Sequence, residues 1–115
     1  MEFRNIRRAF LMPKALTKFH KKNDRLTHSD VNVLYCVHVN MGEDAFVSVH
    51  TIGKTLAAVN REQNSSELYR TCEKLRDEGY LLVADLPVKK YKLSLLARNY
   101  LGGLEEVLKK ERWNR

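Results

Sequence analysis

The chain predicts a mainly helical α+β fold, in which helices pack round a short antiparallel ribbon. Three observations carry that prediction. Residues Thr51 to Leu95 show two helical patterns followed by a pair of strand-like runs. The second of those helices has recognisable signals at both ends. And 115 residues, 43% hydrophobic and 30% charged, suffice for one domain with its own core, without metals or disulfide staples.

From the start of the chain, residues 2–22 (EFRNIRRAFLMPKALTKFHKK) are helical in pattern, with Phe3, Ile6, Phe10, Leu11, Leu16 and Phe19 close to one stripe. Pro13 either kinks this helix or opens a second one at its first position. The stripe is more apolar than a lone surface helix needs, so a second subunit is the expected cover. Asn23 and Asp24 end the segment. The next helix is capped by Thr27, with Asp30 three residues on; Val31, Leu34, Tyr35 and His38 share one side, and Val33 and Val37 lie beside it. So many β-branched residues make a strand the rival reading, but the cap and Gly42 beyond the far end favour a helix. Glu43 and Asp44 make a turn, and Ala45 to Val49 reads as a short strand. Thr51 starts a helix that buries Ile52, Leu56 and Val59 and that Gly53 weakens by about 1 kcal/mol relative to Ala.

The helix from Ser65 to Glu78 is the best-marked element. Asn64 or Ser65 caps it, and Asn64-x-x-Glu67 has the form of a capping box. Leu68, Cys72 and Leu75 recur at i, i+4 and i+7 as one apolar stripe, and the other face carries Ser66, Glu67, Tyr69, Arg70, Glu73 and Lys74. Gly79 follows where a left-handed C-cap residue belongs. Tyr80 to Ala84 and Lys90 to Leu93 read as paired strands joined by residues 85–89, which include Pro87. Ser94 caps a last helix, 95–112, with a broad apolar face of Leu95, Leu96, Tyr100, Leu101, Leu104, Val107 and Leu108 and an expected bend at Gly102-Gly103. Its closing cations complement the helix dipole.

Lys and Arg number 21 against 14 Asp and Glu, a net charge of +7, with an isoelectric point of about 9.6. A balance this basic points to polyanions, nucleic acid first and anionic membrane second. The charge is unevenly spread: residues 1–25 hold eight Lys and Arg against Glu2 and Asp24, a net +6, whereas residues 54–103 hold nine against six. Cys36 and Cys72 are far apart, each in an apolar helical stripe, and read as core thiols of a cytoplasmic protein. No apolar run approaches the roughly 20 residues that cross a bilayer, and the N-terminus lacks the apolar stretch and cleavage site of a secretory signal. No membrane partner is expected. Catalysis has little support. His20, His28, His38 and His50 fall on separate elements without metal-ligand spacing, and neither a Gly-rich phosphate loop nor a GxSxG motif is present. No catalytic residue, metal or cofactor is therefore assigned.

The order helix, helix, short strand, helix, helix, ribbon, helix is that of a winged helix-turn-helix domain with an extra helix at each end. It would be a single domain over 1–115, with residues 51–95 as helix-turn-helix and wing. The sequence resembles the MarR family of bacterial transcription regulators, with PadR-type winged helices as neighbours. Leu26-Thr27 followed by Val31 and Val33-Leu34 is similar to the start of that family's second helix. Ser66, Leu68, Cys72, Leu75 and Gly79-Tyr80-Leu81 are similar to its recognition helix and following strand, and Leu93-Ser94 with Ala97 lies where the family has Leu-Thr and then Gly. The resemblance implies a homodimer formed through residues 2–22 and 95–112, with the helix from Ser65 in the major groove and the wing from Asp85 to Lys92 on the backbone or minor groove. The chain departs from the pattern in a longer turn over 58–64, in Lys89 and Lys90 standing where the wing arginine would, and in Glu67 and Glu73 on the groove helix.

The expected function is thus sequence-specific binding of double-stranded DNA by a homodimeric transcription regulator, with room for a small-molecule effector. Ser66, Tyr69 and Arg70 are the candidates for base edges, because hydroxyl, phenol and guanidinium groups on one polar face suit a major groove, and Ser65 is a further DNA-binding candidate. Arg61, Lys74, Lys89 and Lys90 are the candidates for phosphates. The same polar face also suits a solvated helix, and the +6 in residues 1–25 suggests an alternative. There the winged helix is a scaffold whose basic N-terminal helix docks on an acidic partner. A plasmid or phage replication protein with the same fold is a third possibility.

Overall fold

Every position from Val31 to Val37 is buried, which for a helix means enclosure on all sides. The computed structural model describes residues 26–41, 45–58, 62–85 and 87–110, and in it this segment is the central helix, α1 (His28–Met41). It is followed by β1 (Val47–Ser48), α2 (Val49–Ala58), α3 (Ser65–Asp77), β2 (Leu81–Ala84), β3 (Lys90–Leu93) and α4 (Leu95–Lys110). The described residues thus form a mixed α+β unit of four helices and a small three-stranded antiparallel sheet. α1 packs against α2, α3 and α4 and against β1 and β3. The helical reading of Thr27 onwards holds because the β-branched residues are offset by a closed cap: Thr27 Oγ1 accepts from Asp30 N at 3.1 Å and Asp30 Oδ2 accepts from Thr27 N at 3.0 Å. The expected helix over 2–22 lies outside the described residues.

The strands lie in the order β1-β3-β2, so the last strand in the chain is the central one. Val47 pairs with Tyr91, and Leu81 and Val83 pair with Leu93 and Tyr91. The strand expected over 45–49 is only two residues long, and the helix expected from Thr51 begins at Val49. The cause is Ser48, whose hydroxyl accepts from Thr51 N at 3.2 Å and so acts as the N-cap. Asn40 then ties α2 to α1, donating to Thr55 Oγ1 at 2.8 Å. Gly53 has a packing reason as well as a propensity cost: a Cβ there would sit 3.4 Å from Leu68 Cδ2 of α3. α4 is helical through Gly102 and Gly103. Ala97, Leu101 and Leu104 of α4 are buried, whereas Leu95 (73% exposed) and Leu96 (48%) are not part of the buried face the sequence suggested.

Candidate nucleic-acid interface

The sequence of α3 dictates which way its side chains stand. Leu68, Cys72 and Leu75 are buried against the core, so the residues at the complementary helical spacing must face outward. Ser66, Tyr69 and Arg70, at i, i+3 and i+4, are all exposed, as is Ser65. The start of the helix is fixed by the capping box expected there, with Asn64 Oδ1 accepting from Glu67 N at 2.9 Å and Glu67 Oε1 from Asn64 N at 3.4 Å. The end is a Schellman turn: Tyr80 N donates to Leu75 O and Gly79 N to Arg76 O, with Gly79 at φ 88°. Ser94 locks this turn to the start of α4, its hydroxyl donating to Gly79 O at 2.6 Å while accepting from Ala97 N at 3.2 Å.

The β2–β3 ribbon is fastened to α3 by side chains. Lys89 Nζ donates to Tyr69 Oη at 2.9 Å and pairs with Glu73 Oε2 at 3.3 Å. The ammonium lies 5.3 Å from the Tyr69 ring centroid, so the closer contact is to the phenol oxygen. The Tyr91 hydroxyl, from the central strand, donates to the same Glu73 carboxylate, and Arg76 reaches its other oxygen through two nitrogens at 3.0 and 3.2 Å. The Tyr91 hydrogen bond, followed by those from Lys89 and Arg76, holds the Glu73 carboxyl below its usual range against the opposing effect of burial. Burial, then Glu73, pushes the Tyr91 phenol up. The hydrogen bond to Tyr69 raises Lys89, with Glu73 adding to it against partial desolvation.

The remaining candidates are placed unequally. Lys90 is exposed on β3. Arg70 has no hydrogen bond or ion pair among the described residues, which leaves its guanidinium uncommitted. Lys74, a phosphate candidate, is 45% exposed and paired at 2.8 Å with Asp30, whose side chain is only 3% exposed. It serves as the counter-ion of a buried carboxylate, because α3 crosses the capped start of α1 there. That hydrogen bond raises the Lys74 ammonium. Arg61 lies outside the described residues. Between α1 and α3 opens a groove of about 790 Å³ in which Asp30, Glu62, Glu67, Glu73 and Asp77 face Arg70 and Lys74. Tyr69 lines the same groove, so both Tyr69 and Arg70 stand at the border of a carboxylate-rich surface. In the sequence Glu73 stands only as a charge on this helix, with nothing to announce its bond to Tyr91. No local signal carries that contact, since it depends on where the central strand lies. The Lys92 ammonium, 5.1 Å from the Phe46 ring centroid, was likewise invisible before the β1–β3 pairing was known.

Cys36 and Cys72 are both buried, and burial pushes each thiol up to about 12. Among the described residues no three His, Cys, Asp or Glu side chains are grouped to hold a metal ion, and no helix is long and apolar enough to cross a membrane. No family model, curated protein or solved structure matches the chain.

Proposed function

We propose that the chain is a winged helix-turn-helix protein, similar to the MarR-like regulators, that binds double-stranded DNA as a homodimer in the cytoplasm. The observation that carries this reading is the outward cluster of Ser66, Tyr69 and Arg70 on α3, with the wing lysine Lys89 held 2.9 Å from the Tyr69 hydroxyl. Hydroxyl, phenol and an uncommitted guanidinium on one helical face match the donor and acceptor edges of a major groove. The sequence of α2, turn, α3 and the β2–β3 ribbon supports the same layout. In it α3 enters the groove, Arg70 and Ser66 meet base edges, and Lys90 reaches a phosphate. Residues 2–22 with α4 form the dimer contact, and each subunit takes one half-site about 34–36 Å from the next.

A second reading is favoured by the charge distribution. Residues 1–25 carry a net +6, while α3 carries Arg70, Lys74 and Arg76 against Glu67, Glu73 and Asp77 and is neutral. On this reading the domain is a scaffold, and the basic segment docks on an acidic protein. A salt titration on a random-sequence duplex separates the two. DNA binding gives affinity that falls steeply with salt; the scaffold reading gives no affinity even at low salt. Arg70→Ala should cost about 1–3 kcal/mol on a selected duplex, concentrated at one base pair. Equal weakening on every sequence would count against Arg70 as a base reader.

A further inference from the structure

Lysine has three donors and no acceptor, while a phenol has one of each kind. Lys89 spends one N–H on Tyr69 Oη and one on Glu73 Oε2. The lysine therefore occupies the acceptor side of the Tyr69 oxygen and leaves the phenol proton to point elsewhere. Neither that proton nor the third Lys89 N–H has a partner among the described residues. Tyr69 is 42% exposed, so two donors about the length of a hydrogen bond apart face solvent on the wing side of α3. Glu73 is what keeps them there. Its carboxylate is fixed by Tyr91 on one oxygen and by Arg76 on the other, and it is only 20% exposed.

Resting on the DNA-binding reading, we propose that Glu73 is a positioning residue: it holds Lys89, and through it Tyr69, as a paired donor that reads two neighbouring acceptors on nucleic acid. Guanine offers such a pair in O6 and N7. The carboxylate also cancels the charge of Lys89, so this lysine contributes selectivity and not counterion release. A surface acid on a groove helix would ordinarily be counted as a defect. Here it exchanges general attraction for directed hydrogen bonds.

The test uses the full chain, a duplex that wild-type protein selects from a random pool, and a scrambled duplex of the same composition. Glu73→Gln keeps the shape and frees the lysine charge. It should tighten binding to the scrambled duplex, steepen the plot of log affinity against log salt by about 0.9, and lower the selected-to-scrambled ratio about tenfold. Tyr91→Phe removes one support of Glu73 but no charge, and it should leave the salt slope unchanged. Tyr69→Phe should weaken binding to the selected duplex about tenfold without changing the slope. 7-Deazaguanine in the selected duplex should abolish that difference; an equal loss on both duplexes would mean a phosphate contact and would overturn the proposal. A Glu73→Gln variant with wild-type slope and wild-type selectivity overturns the proposal while leaving DNA binding intact. Wild-type protein that binds no duplex at low salt overturns both.

Discussion

Glu73 is the residue on which the β2–β3 ribbon and α3 converge, and its ionisation should be felt in stability. Its folded carboxyl lies below the ordinary value of 4.5, so the native state binds a proton less readily than the unfolded chain. The stabilisation is therefore complete above about pH 4.5 and is lost as pH falls through the lower, folded value. Urea midpoints measured from neutral pH down to about pH 3 should fall for wild type, and Glu73→Gln should flatten the acid limb. At this scale the sequence was legible where a side chain answers to its own helix and illegible where it answers to a distant one. Ser66, Tyr69 and Arg70 face outward as their spacing requires. Lys74 shares that polar face, yet it belongs to Asp30 of α1, and no periodicity within α3 distinguishes it from Arg70.

Among the elements, α3 is held by its ends. Asn64→Ala removes the acceptor for Glu67 N and should cost about 1 kcal/mol. Gly79→Ala should cost about as much, because φ 88° strains any residue with a Cβ. The nearest atom to a Cβ there, Leu96 Cδ2, is 3.7 Å away, so the loss is one of backbone strain and not of crowding. Chemical denaturation of the two variants should show lower midpoints at unchanged slope. Both ends were readable because caps are local chemistry within a few residues. The start of α2 was not. Ser48 sits inside the β-branched run Val47-Ser48-Val49, and a serine there reads as strand until its hydroxyl is seen to accept from Thr51 N.

Over the whole molecule, stability rests on α1, the element touched by every other described helix. Leu34 is completely buried, so Leu34→Ala should destabilise by about 2–5 kcal/mol through lost burial and the cavity left behind. A surface truncation such as Leu95→Ala, at a residue 73% exposed, should change the urea midpoint far less. The helical class was evident from capped, periodic segments, but the enclosure of α1 was not: a helix buried all round and a buried strand share the same run of apolar residues. The ribbon and a separate short strand over 45–49 were both foreseen, but that the short strand adds to the ribbon through Val47 and Tyr91 has no local pattern to announce it.

That third strand has a consequence for how the chain is made. Val47 finds its partner in Tyr91, so a ribosome releases the first edge of the sheet long before the strand that completes it. Until residues 90–93 emerge, α1, α2 and α3 can coil and collide, but Val47 has no backbone to bond and Glu73 has neither Tyr91 nor Lys89. The surface that would meet DNA is thus assembled late, once a short stretch of chain closes the sheet and brings Tyr91 and Lys89 to Glu73.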